Sequence, residues 1–350
     1  MSNKKTLYII GAGASSEAGL PTGYELKEKI AELLDMRFEF QSRISGDSCI
    51  YEALLMYVKQ SENQEKDINP YLHAARHIRD AMPQAISIDN FIDTHNDDKK
   101  IELCGKLAIV RSILDAERKS NLYIDPSNTY NRLKFHEIEK TWYANFIKLL
   151  TENCTKKNIA KRLESITLIV FNYDRCIEHF LYNSLQNYYG IRPDEAVNLV
   201  KEIEIYHPYG IVGSLPWQGG QSVSFGEEID SLNLLNLANQ IKTFTEGTDP
   251  KSSEILAIRK NITNTDRVVF LGFAYHKLNM KLLKPDGPLL ESTNPRSCFG
   301  TAKGISNSDC EIIKCEINSN YKRSMTACEI RNELDCYHLF QEYWRSLSLI

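Results

Sequence analysis

The chain has 350 residues, 42 % of them hydrophobic and 25 % charged, with 42 Lys plus Arg against 46 Asp plus Glu and a net charge of -4. That composition is ordinary for a globular protein. It excludes disordered, collagen-like and heptad-repeat chains and lacks the basic excess that binding a nucleic-acid backbone needs. Mean hydropathy is -0.37 and the longest apolar run, residues 166–171, falls far short of the roughly 20 residues that span a bilayer, so no membrane-crossing segment is expected.

Residues 6–10 are apolar, aromatic or β-branched and run into Gly11-Ala12-Gly13-Ala14-Ser15-Ser16, the pattern of a buried strand ending in a tight loop of small residues. Lys4 and Lys5 ahead of it mimic a signal peptide, but four apolar residues are too few for the hydrophobic region of one. Thr22 followed by Glu25 makes a capping box, and Leu26, Ile30 and Leu33 then recur at helical spacing, which predicts a helix over 23–36. From about 40 to 160 strand signals nearly vanish. Leu103, Leu107, Val110 and Leu114 form one helical stripe and Ile138, Trp142, Phe146 and Leu149 another, so residues 41–159 are expected to be a helical insertion or subdomain. The charge run Asp97-Asp98-Lys99-Lys100 within it suits the solvated start of a helix.

Strands return at 166–171, 202–206, 267–271, 297–299 and 311–317, mostly as near-continuous apolar runs, which suit a sheet covered on both faces. The expected fold is therefore α/β: a Rossmann-like, mostly parallel sheet built from 1–40 and 160–350. A helix is expected over 176–187. Ile330, Leu334, Tyr337, Phe340, Trp344 and Leu347 read as one closing amphipathic helix. The Gly-, Pro-, Ser- and Asp-bearing loops at 216–228, 246–253 and 284–297 are candidate lids. Nine Cys, odd in number and set mostly in apolar segments, suit reduced thiols in a cytoplasm.

Four motifs fall at predicted strand ends, where open α/β sheets bind ligands. The glycine loop after residue 10 offers backbone amides to a pyrophosphate, or serves only strand-to-helix packing. Ser16 stands where the dinucleotide fingerprint wants its third glycine, and a helix follows instead of a second strand with an acidic residue, which disfavours a hydride-transferring dehydrogenase. Asn172-Tyr173-Asp174 puts two short polar side chains at one edge; Asp174 is equally placed to cap the helix that follows. His207, in Tyr206-His207-Pro208-Tyr209-Gly210, brings an imidazole that titrates near about 6.5 to a third edge. Gly272-Phe273-Ala274 and Phe299-Gly300-Thr301-Ala302 supply the fourth, and either alone reads as strand termination.

In this order the motifs resemble the sirtuin (silent information regulator) family, and within it the bacterial sirtuin-like branch of antiphage defence systems. The resemblance covers residues 6–36 and 166–317. It implies that Gly11, Ala12, Gly13, Ser15, Leu20, Pro21 and Thr22 belong to an NAD-binding loop, with the amides of Ala12, Gly13 and Ser15 on the pyrophosphate. It further implies that Asn172 and His207 are catalytic, that Tyr173 and Asp174 contact nicotinamide, and that Gly272, Phe273, Ala274 and Thr301 meet the adenosine half. Ser87-Ile88-Asp89-Asn90-Phe91 and Gly105-Lys106 resemble the insertion of the defence branch. The implied activity is hydrolysis of NAD to nicotinamide and ADP-ribose, depleting NAD during abortive infection. The implied setting is a homo-oligomer held in check until infection, partnered by a HerA-type hexameric ATPase or a phage-derived activator.

Two departures bear on that expectation. The paired Cys-x-x-Cys zinc ligands of protein-deacylating sirtuins are absent, and Cys310, Cys315, Cys328 and Cys336 are irregularly spaced, so no metal is expected. Thr22-Gly23-Tyr24 replaces the Asp-Phe-Arg common in deacylases. An NAD-dependent protein deacylase and a non-catalytic subunit sensing NAD or ADP-ribose are the alternatives.

Overall fold

In the computed structural model, which describes residues 4–40, 42–60, 66–220, 222–247, 252–284, 296–321 and 325–349, the first apolar run becomes the central strand of the sheet. The strands are β1 (Thr6–Ile10), β2 (Ile166–Val170), β3 (Glu204–Tyr206), β4 (Arg267–Leu271), β5 (Arg296–Thr301) and β6 (Met325–Arg331). They lie in the order β3-β2-β1-β4-β5-β6, and every pairing is parallel. In β1 Thr6 pairs with Ile166 on one side and Arg267 on the other, and the register holds to Ile10 with Val170 and Leu271.

The longer helices are α1 (Gly23–Leu34), α2 (Ser48–Gln60), α3 (Asn69–Ala81), α4 (Ile88–Thr94), α5 (Lys99–Lys119), α6 (Trp142–Thr151), α7 (Cys176–Tyr189), α8 (Pro193–Val200), α9 (Ser231–Ala238), α10 (Ser253–Asn264), α11 (Asn307–Tyr321) and α12 (Cys336–Glu342). Strand side chains alternate between faces, so Leu7, Ile9, Val268 and Phe270 join one core with α1 to α5 and α9 to α11. Tyr8, Ile10, Val269 and Leu271 join a second core with α6, α7, α8 and α12. The result is a three-layer α/β/α arrangement with both sheet faces covered, which is why the central strands β1, β2 and β4 read as nearly continuous apolar runs. Helix α6 lies on the sheet with Phe146 edge-on to Tyr8 at 5.0 Å, and α9 packs with α2 and α5. Among the described residues no helix is long and apolar enough to cross a membrane.

The capping box forms as expected. Glu25 Oε2 accepts from the Thr22 amide at 2.7 Å, and the Thr22 hydroxyl faces the Glu25 amide at 3.5 Å. Thr22→Ala is expected to lower stability by about 1 kcal/mol in urea denaturation, with Thr22→Ser restoring most of it.

Three expectations need correction. Residues 311–317 are helical, inside α11: Ser306 Oγ accepts from the Asp309 amide at 3.1 Å, and Cys310, Ile313 and Ile317 recur on one buried face while Ile312 is exposed. The adjacent isoleucines imitate a strand. The edge strand is β6, so Ile330 belongs to the sheet, and Asp335 starts α12 by accepting from the His338 amide at 2.9 Å. A continuous closing helix is thereby split, the last piece being Trp344–Leu347. The 216–228 loop is no lid: Gly226 donates to Glu117 at 3.0 Å and accepts from Arg118 at 2.8 Å, which fastens the loop to α5. Most of the candidate lid at 284–297 and the middle of that at 246–253 lie outside the described residues.

Candidate functional site

Between β1 and β4 the winding of the sheet reverses, and such a switch point opens a crevice beyond the carboxyl ends of the strands. Two turns meet there. The Gly11 amide donates to Leu271 O at 2.9 Å and the Gly13 amide to Gly272 O at 3.0 Å, while Thr301 Oγ1 accepts from the Gly272 amide at 2.8 Å. Gly272 has φ +54, and a methyl placed on it would sit 2.0 Å from the Ala14 nitrogen. Only glycine fits this approach.

A cavity of about 850 Å³ opens over these turns, within the span of small-molecule sites, roughly 300–1,000 Å³. Of the residues singled out from sequence, Gly11, Ala12, Gly13, Thr22, Asn172, Gly272, Phe273, Ala274 and Thr301 line it. Ser15, Leu20, Pro21, Tyr173, Asp174 and His207 are not part of its wall. Leu20 is buried in the α6 core. Ser15 turns beneath the wall and accepts from Asn172 Nδ2 at 2.9 Å. The expected phosphate cradle is narrower than proposed, because the Gly13 amide is already committed to Gly272.

The segment after β2 divides its side chains between layers. Asn172 reaches the cavity. Tyr173 packs in the core of α1 to α5 and donates its hydroxyl to Asp89 of α4. Asp174 is buried, and its Oδ1 accepts from the Cys176 amide at 3.1 Å at the start of α7. Burial raises its carboxyl above the usual range against the pull of the Ser15 and Cys176 donors. Arg175, not Asp174, is the N-cap residue of α7, so Asp174 braces the helix start from one position outside it, off the cavity wall.

His207, just after β3, lies directly behind Asn172. Its Nδ1 faces Asn172 O at 3.3 Å and its Nε2 meets Glu178 Oε1 of α7 at 2.6 Å. Both ring nitrogens face acceptors, so both carry protons in this arrangement. Burial opposes that charge, but the Glu178 carboxylate outweighs it and holds the imidazole above its ordinary range.

The same segment is anchored by a buried ion pair. Arg175 and Glu117 are both fully buried; Glu117 Oε1 accepts from the Arg175 amide at 3.2 Å and from Arg175 Nε at 3.1 Å. Long helix α5 is thus tied to the residue next to Asp174.

Sequence reasoning missed Glu178, Glu17 and the role of Asp89. Glu178 reads as an ordinary acidic residue in the first turn of a helix, and no local signal marks it. Glu17 lines the cavity, yet its carboxylate accepts from the amides of Trp142 at 2.7 Å and Tyr337 at 2.9 Å, joining two helix starts that lie far apart along the chain. Asp89 lines the cavity too, and burial lifts its carboxyl to about 6. Lys277 and Lys303 also line the wall, together with Asp335, which pairs with Lys303 at 3.8 Å.

Cys310 and Cys336 belong to opposite faces of the sheet, and among the described residues no group of three or more His, Cys, Asp or Glu is placed to hold a metal ion. No known protein family and no curated protein matches this chain in sequence.

Proposed function

We propose that the chain cleaves the nicotinamide–ribose bond of NAD, releasing nicotinamide and ADP-ribose. The observation that carries this reading is the placement of Asn172 on the wall of a switch-point cavity, with His207 bonded to its backbone and two glycine turns opposite. Lys277 on the wall suits a ligand bearing phosphates, and Lys303 joins it where a phosphate displaces Asp335. With Nδ2 of Asn172 bound to Ser15, Oδ1 is the end that orients a nucleophilic water. The C–N bonding pair leaves with nicotinamide and neutralises its pyridinium charge, through an oxocarbenium-like transition state. Water forms the new C–O bond and gives up a proton, for which His207 is the nearby base once it has lost its own. Depletion of NAD in antiphage defence, a homo-oligomer and a HerA-type ATPase or phage-derived activator belong to the same proposal, on the resemblance described above.

Asn172→Ala and His207→Ala are expected to lower nicotinamide release by about 10²- to 10⁴-fold while thermal melting stays cooperative. Nicotinamide, ADP-ribose and cyclic ADP-ribose are measured from NAD with and without an acetylated peptide; undiminished turnover in both variants overturns the assignment. One observation favours a second reading, a subunit that binds NAD or ADP-ribose without turnover: His207 is absent from the cavity wall and engaged at both nitrogens. Saturable binding with no product in the same assay selects it. Release only with the peptide selects a deacylase.

A further inference from the structure

Helix α7 begins immediately after the Asn172 segment, so its first turn brings Glu178 under the end of the neighbouring strand β3, where His207 leaves the sheet. Glu178 is 3 % exposed and the His207 side chain 11 %. At 2.6 Å their contact is a short, charge-assisted hydrogen bond. Capping does not explain this carboxylate, since Asp174 already receives the Cys176 amide. Nor does packing alone, because Glu178 Oε2 is buried without a hydrogen-bond partner among the described residues, an arrangement that costs stability.

We propose that Glu178 is the positioning residue for His207, fixing the ring and keeping Nε2 protonated so that Nδ1, which faces the Asn172 carbonyl just behind the cavity wall, is the nitrogen that gives up its proton first. The reaction it would serve rests on the NAD reading; the pairing itself rests on geometry. The two bonds are unequal. The proton between His207 and Glu178 is held by a short bond to a carboxylate, whereas the one on Nδ1 faces a neutral carbonyl at 3.3 Å and leaves first. A base oriented by a buried carboxylate on its far nitrogen is the logic of catalytic triads. The charged groups acting on the ring are Glu178 of α7 and Asp174 of the preceding segment; Glu117 and Arg175 neutralise each other.

The test uses the full chain, with Glu178→Gln and Glu178→Asp, and follows the His207 ring by NMR, its signals assigned through His207→Gln. The wild-type ring is expected to titrate above an ordinary histidine. In Glu178→Gln the midpoint should fall by about one to three pH units, with Glu178→Asp retaining most of the elevation. The acidic limb of the pH profile of nicotinamide release should move by the same amount, with kcat falling about 10²-fold and KM unchanged. A wild-type midpoint at or below the ordinary value overturns the proposal, and this holds even if neither variant folds. An unmoved midpoint in a folded Glu178→Gln protein overturns it as well. A midpoint that moves as expected in a protein that releases no nicotinamide supports the pairing and counts against the NAD reading.

Discussion

Gly272→Ala is expected to be among the most disruptive single-methyl changes in this chain. The residue holds a left-handed φ of +54, which costs a non-glycine residue roughly 1–2 kcal/mol. The added methyl would also meet the Ala14 nitrogen at 2.0 Å and the Gly13 carbonyl carbon at 2.2 Å, both rigid backbone. Moving one turn away from the other adds about 1–3 kcal/mol by the usual scale of overpacking. The displacement also breaks the Gly13 to Gly272 hydrogen bond, so ligand affinity should fall with stability. Urea denaturation measures the first effect and calorimetric titration with NAD the second. Gly23→Ala is the control: its methyl would meet nothing within 4 Å, and alanine favours the helix. Equal stability of Gly272→Ala and the control would refute the account of this crossing.

Glu117→Ala should destabilise by about 3–5 kcal/mol, the range for removing one partner of a buried ion pair. Its carboxylate accepts from the amide and guanidinium of Arg175 and from the Gly226 amide at 3.0 Å. Its loss strands a guanidinium that is fully buried, while the bonds of Arg175 to Gly213 O and Val223 O offset only part of that burden. The double variant Glu117→Leu with Arg175→Met should be more stable than Glu117→Ala, since an apolar pair strands no charge. Chemical denaturation of the single and double variants decides it; a double variant as unstable as the single one would show that the charges themselves are needed.

Fold and site were legible in sequence to different depths. The central strands were plain because burial on both faces makes 168–170 and 268–271 continuous apolar runs. The edge of the sheet was not, since β6 and α11 carry mixed patterns in which the pair at 312–313 outweighed the 310, 313, 317 spacing. The residues on the cavity wall were found chiefly where a strand ends in glycine, because turn chemistry is local. Partners from distant segments left no such mark. Glu178 and Glu17 are isolated acids in the sequence and Glu117 is one acid in the charge-rich stretch 115–119, and their roles come only from burial beside groups far along the chain. The resemblance of their segment implies ligand contacts for Tyr173 and Asp174, yet neighbours along the chain turn to different partners, Asp89 in one case and the Cys176 amide in the other.

The place of β1 in the sheet has a consequence for biosynthesis. This strand is made before its partners β2 and β4, which leave the ribosome only after the helices α1 to α6 and then α7 to α10. Until then a fully apolar segment has no lateral neighbour, the circumstance in which parallel sheets fold slowly and nascent chains self-associate. Because the crevice exists only where β1 lies against β4, a ribosome-bound chain stalled before Gly272 has no ligand pocket to fill.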